Sequence, residues 1–156
     1  MTVATKVDHV WSILATDYAK VGKWARAVQA SEAKETGTPV NGAPVTGRVC
    51  TASIGDVTET IRIFDPAYHI LAYDAKAKAM PFFVRNLSGR WKLHGIGDET
   101  EVDLSFVADL MPPFRTLMGW AMRRQFSTAI DETLEDLKLF AETGKIHPDK
   151  AAALAA

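Results

Sequence analysis

One cysteine in 156 residues, Cys50, excludes any intrachain disulfide, so packing alone must hold the fold. The chain also lacks an excess of one charge. Its 18 Lys and Arg balance 19 Asp and Glu, a formal net charge of −1, whereas a nucleic-acid binder needs a plainly basic footprint. No apolar run approaches the roughly 20 residues of a membrane span. The opening MTVATKVDHVW has no basic start followed by an apolar core, which argues against a secretion signal. His9, His69, His94 and His147 are scattered and show no zinc-ligand spacing, so no metal site is expected. There is no Gly-x-Ser-x-Gly nucleophile elbow. The loop from Gly37 to Gly47 lacks the Gly-Lys-Ser/Thr ending of a phosphate cradle, and Gly95-Ile-Gly97-Asp98 lies between two strand runs as a turn. What remains is 47% apolar residues in a length suited to one compact domain, expected over 1–146 with a tail over 147–156. The expected setting is soluble and cytoplasmic.

Periodicity supplies the order of elements. Thr2 to Val7 alternates weakly as a short strand, and Asp8 is placed to cap a short helix carrying Val10, Trp11, Ile13 and Leu14. Tyr18, Val21 and Trp24, spaced three apart, predict a second short helix from Asp17. After the turn-rich 37–47 loop come five strand runs: Val45 to Ile54, Val57 to Phe64, Tyr68 to Ala75, Phe82 to His94 and Thr100 to Leu110. Met111-Pro112-Pro113 ends the last, since proline cannot donate to a ladder. From Phe114 apolar residues recur at three and four through Leu117, Ala121, Phe126, Ile130, Leu134, Leu137 and Ala141 to a stop at Gly144. That predicts one amphipathic helix of about 30 residues, and a frayed Ala-rich end from Ala151.

This order resembles the START/Bet v 1-like (SRPBCC) superfamily, in particular its polyketide cyclase/dehydrase and lipid-transport branch. The residues that carry the likeness are Val10-Trp11-Ser-Ile-Leu14, Trp24, the run Glu59 to Pro66, Ile70-Leu-Ala-Tyr73, Leu137-Lys138 and Ala141-Glu-Thr-Gly144. The resemblance implies an α+β helix-grip fold: a curved antiparallel sheet wrapped around the long C-terminal helix, with two short helices near the N-terminus and a hydrophobic cavity between sheet and helix. It also implies no cofactor, because relatives that cyclise polyketides use none. The 37–47 loop departs from the glycine-rich loop of the plant Bet v 1 proteins.

Gly55-Asp56 reads as a two-residue hairpin turn, which sets Ile54 opposite Val57, Ala52 opposite Glu59, Cys50 opposite Ile61 and Arg48 opposite Ile63. These residues share one mostly apolar face, expected to be concave, and Glu59 projects into it. A desolvated carboxylate there has a raised pKa and is usable as an acid or base; a salt bridge with Arg48 is the alternative. Arg48 and Arg85 are candidate holders of an anionic ligand group, Arg85 keeping the parity of Leu87 and Trp91 unless a bulge intervenes. Tyr73 and Trp91 are candidates to stack on a planar ligand, with Ile61 beside them and Met118 and Met122 as a flexible apolar wall; plain core packing is the alternative for each. Trp11 reads as core. Two function classes stay open. One is a binding or transport module for a hydrophobic small molecule (polyketide, aromatic or lipid). The other is a cyclase or dehydratase that moves protons with Glu59 and Tyr73. The expected partners are that small molecule, no nucleic acid and no membrane span, with the chain a monomer or homodimer. A homodimer burying the region around Met118 and Trp120 would instead point to a partner-regulating module.

Overall fold

A computed structural model describes residues 1–52, 55–78 and 80–155, leaving out the side chains at 115, 118 and 122. The chain enters through β1 (Thr2–Val3) and turns into α1 (Val7–Trp11). Asp8 lies inside the first turn of α1, with Lys6 at the cap position, two residues earlier than its carboxylate suggested. A wide π-type turn (Ser12–Thr16) and a 3₁₀ stretch (Tyr18–Lys23) follow, burying Leu14, Tyr18 and Val21. Then come β2 (Val28–Ala33), β3 (Gly47–Ala52), β4 (Gly55–Asp65), β5 (Ile70–Ala77), β6 (Val84–Ile96) and β7 (Glu99–Leu110). The 30-residue α2 (Phe114–Thr143) closes the domain, and Gly144, at φ +69°, ends it in the left-handed conformation that glycine adopts without steric cost.

The described strands form one curved antiparallel sheet in the order β1-β7-β6-β5-β4-β3-β2. Alternation decides its faces. Leu71 and Tyr73 on β5, Trp91 and Leu93 on β6, and Val102 and Leu104 on β7 are buried on the concave side. Arg90 and Lys92 stand opposite Ser105 and Asp103 on the exposed outer face, as their parity predicts. Irregular pairing at Ile61/Ile63 and Val84/Asn86 bends the strands concerned.

Three features depart from the sequence reading. β2 has no apolar alternation, because it is the sheet edge and most of its side chains face solvent. The β3–β4 hairpin is slipped by four residues: Arg48 pairs with Glu59, Thr51 with Asp56 and Ala52 with Gly55, so Asp56 belongs to β4, where Lys78 holds its carboxylate at 2.6 Å. Ile54, expected opposite Val57, lies outside the described residues. An even slip preserves the face assignments of the described residues, since side chains alternate with period two. Only Ile63 is reversed. The irregularity at Ile61/Ile63 turns it outward, 45% exposed.

The Ala-rich end is a helix, α3 (Pro148–Ala155), where fraying was expected. Pro148 opens it and Asp149 lies in its first turn, both favoured at a helix start. Lys150 anchors it: the side chain is buried and its ammonium donates to the carbonyls of Val28 and Gln29. On α2, Leu137 and Ala141 pack into the core, whereas Leu117 and Trp120 near its start are exposed. The N-terminal half of the helix thus leaves space between itself and the sheet.

Candidate functional site

Pairing of Arg48 with Glu59 across β3 and β4 places a guanidinium and a carboxylate on the same concave face. Arg48 Nε donates to Glu59 Oε2 at 2.6 Å, and both side chains are about nine-tenths buried. Tyr18, carried in by the 3₁₀ stretch, donates its hydroxyl to the same oxygen at 2.6 Å. Its backbone carbonyl accepts from Arg48 Nη1 at 3.0 Å, and its ring lies under the guanidinium at 4.1 Å. Each charge therefore has its opposite and several hydrogen-bond partners, as buried charges require. Among the described residues none donates to Glu59 Oε1, and Oε1 is not sealed from space.

Tyr73, on the neighbouring β5, stands 6.0 Å from Tyr18 between ring centroids, with Arg48 5.9 Å from its own ring. Gly89 on β6 is its cross-strand partner and lets the phenol lie across the sheet: a Cβ at Gly89 would stand 2.5 Å from Tyr73 Oη. Burial pushes the phenols of Tyr18 and Tyr73 well above the ordinary tyrosine range, with Glu59 adding to the effect and Arg48 opposing it. Cys50, on the same face, has its thiol pushed up to about 11, mainly by burial, which makes it inert at neutral pH. The Arg48 guanidinium, though buried, is held more basic than usual by Glu59.

Two neighbouring spaces adjoin this cluster. An inner one of about 110 Å³ reaches Tyr18, Arg48 and Trp91. An outer one of about 200 Å³ lies under α2, against Leu87, Phe106, Phe126 and Ala129. Glu59 and Tyr73 border both. Beyond them a wider groove of about 660 Å³ runs along α2 past Trp120 and Arg124.

The structure thus gathers Arg48, Glu59, Tyr73 and Trp91, and places Ile61 behind them in the core, opposite Tyr73. It does not bring Arg85 to the cluster: the pairing irregularity between Val84 and Asn86 turns that side chain out to solvent. The side chains of Met118 and Met122 lie outside the described residues. Trp11 is core, its ring 5.3 Å from that of Phe64. Tyr18 was missed, since its spacing with Val21 and Trp24 marks only a buried helical stripe, and its partner is 41 residues away. Among the described residues no three His, Cys, Asp or Glu converge as metal ligands, and no helix is long and apolar enough to cross a membrane.

A curved antiparallel sheet around a long helix, with a cavity between them, defines a helix-grip protein of the START/Bet v 1 type. The chain belongs to the polyketide cyclase/dehydrase and lipid transport family, whose sequence profile matches residues 1–142. Similar solved structures include the protein XoxI from Bacillus cereus (15% identity, 94% of this chain and 95% of that one, TM-score 0.70). A START superfamily protein from Mycobacterium smegmatis is similar at 15% identity, 93% and 95% coverage and TM-score 0.64. The Zhui aromatase/cyclase from Streptomyces sp. R1128 is similar at 20%, 94% and 95%, and 0.61. At such identities the likeness is one of fold. No curated protein matches the chain in sequence.

Proposed function

We propose that the chain binds a largely apolar small molecule (a polyketide, an aromatic metabolite or a lipid) between α2 and the sheet, with the ligand's polar end at Glu59 and Tyr73. The observation that carries this reading is a buried carboxylate with one oxygen tied by Arg48 and Tyr18, on a residue that borders a mostly apolar space. Few convergent polar groups in an apolar cleft are what a small-molecule site requires. Trp91 supplies an aromatic wall in the inner space. Family membership supports the reading at the level of ligand class. In this reading the protein is cytoplasmic and acts as a monomer or homodimer.

A second reading, a cofactor-independent cyclase or dehydratase, draws on the placement of Glu59 and Tyr73 along the same wall. Glu59 Oε1 would accept a proton from an activated carbon, and the Tyr73 phenol, kept protonated by burial, would donate to the developing enolate oxygen. Arg48, already engaged, would hold Glu59 in place. Glu59→Gln separates the two. Retained binding of hydrophobic ligands with lost turnover of a poly-β-ketone supports the enzyme. Ligand binding that raises the melting temperature, with no turnover by the wild type, supports the carrier. Failure of every hydrophobic ligand to bind contradicts both.

A further inference from the structure

We infer that the outer compartment selects a small aromatic ligand bearing a hydrogen-bond donor, such as a phenol, alcohol or amine, and rejects carboxylates. This rests on the binding reading above and narrows it to a ligand class. The polar residues bordering the outer compartment are Glu59, Tyr73 and Ser88, with no lysine, arginine or histidine among the described residues there. Arg48 borders only the inner space and is committed three times: to Glu59 through Nε, to the Tyr18 carbonyl through Nη1, and to the Tyr18 ring by stacking. A ligand under α2 therefore meets a carboxylate whose cation, Arg48, engages the other oxygen from the inner side. A donor satisfies the oxygen that has no described donor. A ligand carboxylate finds no cation bordering this compartment and loses its own hydration without compensation.

Size narrows the class further. An apolar cavity of about 150 Å³ takes one benzene ring. The outer compartment, about 200 Å³, accommodates a ring with its substituent, and the inner space beyond Tyr73 adds about 110 Å³. Each alone falls short of the roughly 300–1,000 Å³ of pockets for drug-sized ligands, and together they reach only its lower edge. One or two fused rings suit this volume; a long acyl chain does not.

The test compares three probes of one shape, 2-naphthol, 2-naphthoate and naphthalene, by calorimetric titration of the wild-type protein at pH 7. The expected result is naphthol about tenfold or more tighter than naphthoate and severalfold tighter than naphthalene, the order set by a hydrogen bond to a charged acceptor. Naphthoate or naphthalene binding as tightly as naphthol overturns the donor class while leaving a hydrophobic site intact. Binding of none of the three overturns the binding reading itself. Ala129→Phe, which fills the compartment from α2 and leaves the Arg48, Glu59 and Tyr18 cluster untouched, should weaken naphthol about tenfold or more; unchanged affinity in a folded variant overturns the location.

Discussion

Tyr18 Oη and Arg48 Nε donate to one and the same oxygen of Glu59, each at 2.6 Å, although Tyr18 lies 30 residues before Arg48 in the chain. The shared acceptor joins the N-terminal helical segment to the centre of the sheet. Under the proposed function, binding and stability depend on the same three side chains.

Arg48→Met should cost about 3–5 kcal/mol, because it strands a buried carboxylate without its cation. Arg48→Met combined with Glu59→Leu should recover most of that loss, since an apolar pair of similar volume often replaces a buried ion pair at little cost. Urea unfolding of both single variants and the double variant measures the coupling.

Tyr18→Phe removes one hydrogen bond to a charged acceptor and keeps the ring under Arg48. The expected loss is about 1.5–3 kcal/mol, read from the urea midpoint at unchanged slope.

How much of this was legible depended on the range over which each signal acts. The strands carrying Tyr73 and Trp91, the long helix and the concave placement of Glu59 follow from alternation and periodicity. The slipped β3–β4 hairpin left the reading of faces intact because the slip was even. Ile63 and Arg85 were misplaced for one shared reason: a local irregularity reverses parity and leaves no mark in composition. Tyr18 and Gly89 were invisible as site residues because their roles exist only across the fold, Tyr18 as donor to Glu59 and Gly89 as the gap that admits the Tyr73 ring. Lys150 fell within the expected tail over 147–156, and only its contact with the β2 carbonyls shows why it is buried.

Stability should fall on the alkaline side. Tyr18 and Tyr73 keep their protons in the folded chain above the ordinary tyrosine value of 10.0, and Cys50 does so up to about 11 against 9.0. The unfolded chain releases those protons earlier, so the folded state holds more of them from about pH 9 upward. Their contribution is full below that point and lost as pH rises through it. Lys150 acts in the opposite sense, since burial lowers its value and unfolding takes up a proton below 10.5. Melting curves at pH 8, 10 and 11 should show a net decline, shallower in Tyr18→Phe. Cys50 should resist thiol reagents at pH 8 until the chain unfolds.

Gly89→Ala should displace the Tyr73 phenol. Overpacking of this kind costs about 1–3 kcal/mol. Ligand affinity should fall as well, because the displaced ring borders both compartments. Thermal melts and ligand titration on the same sample check both effects.

Arg85→Ala should change little, within about 0.5 kcal/mol, with ligand affinity unaltered, since the side chain is exposed at a strand irregularity away from the cavity. Urea unfolding and titration again suffice. A tenfold loss of affinity would return Arg85 to the site.

The most direct measurement is a crystal structure of the protein with a bound aromatic ligand. The account predicts density between α2 and the concave sheet, with a ligand heteroatom within hydrogen-bond distance of Glu59 Oε1 and Arg48 still on Oε2. Density elsewhere with this space filled by side chains, or Glu59 turned to solvent on the convex face, would contradict it.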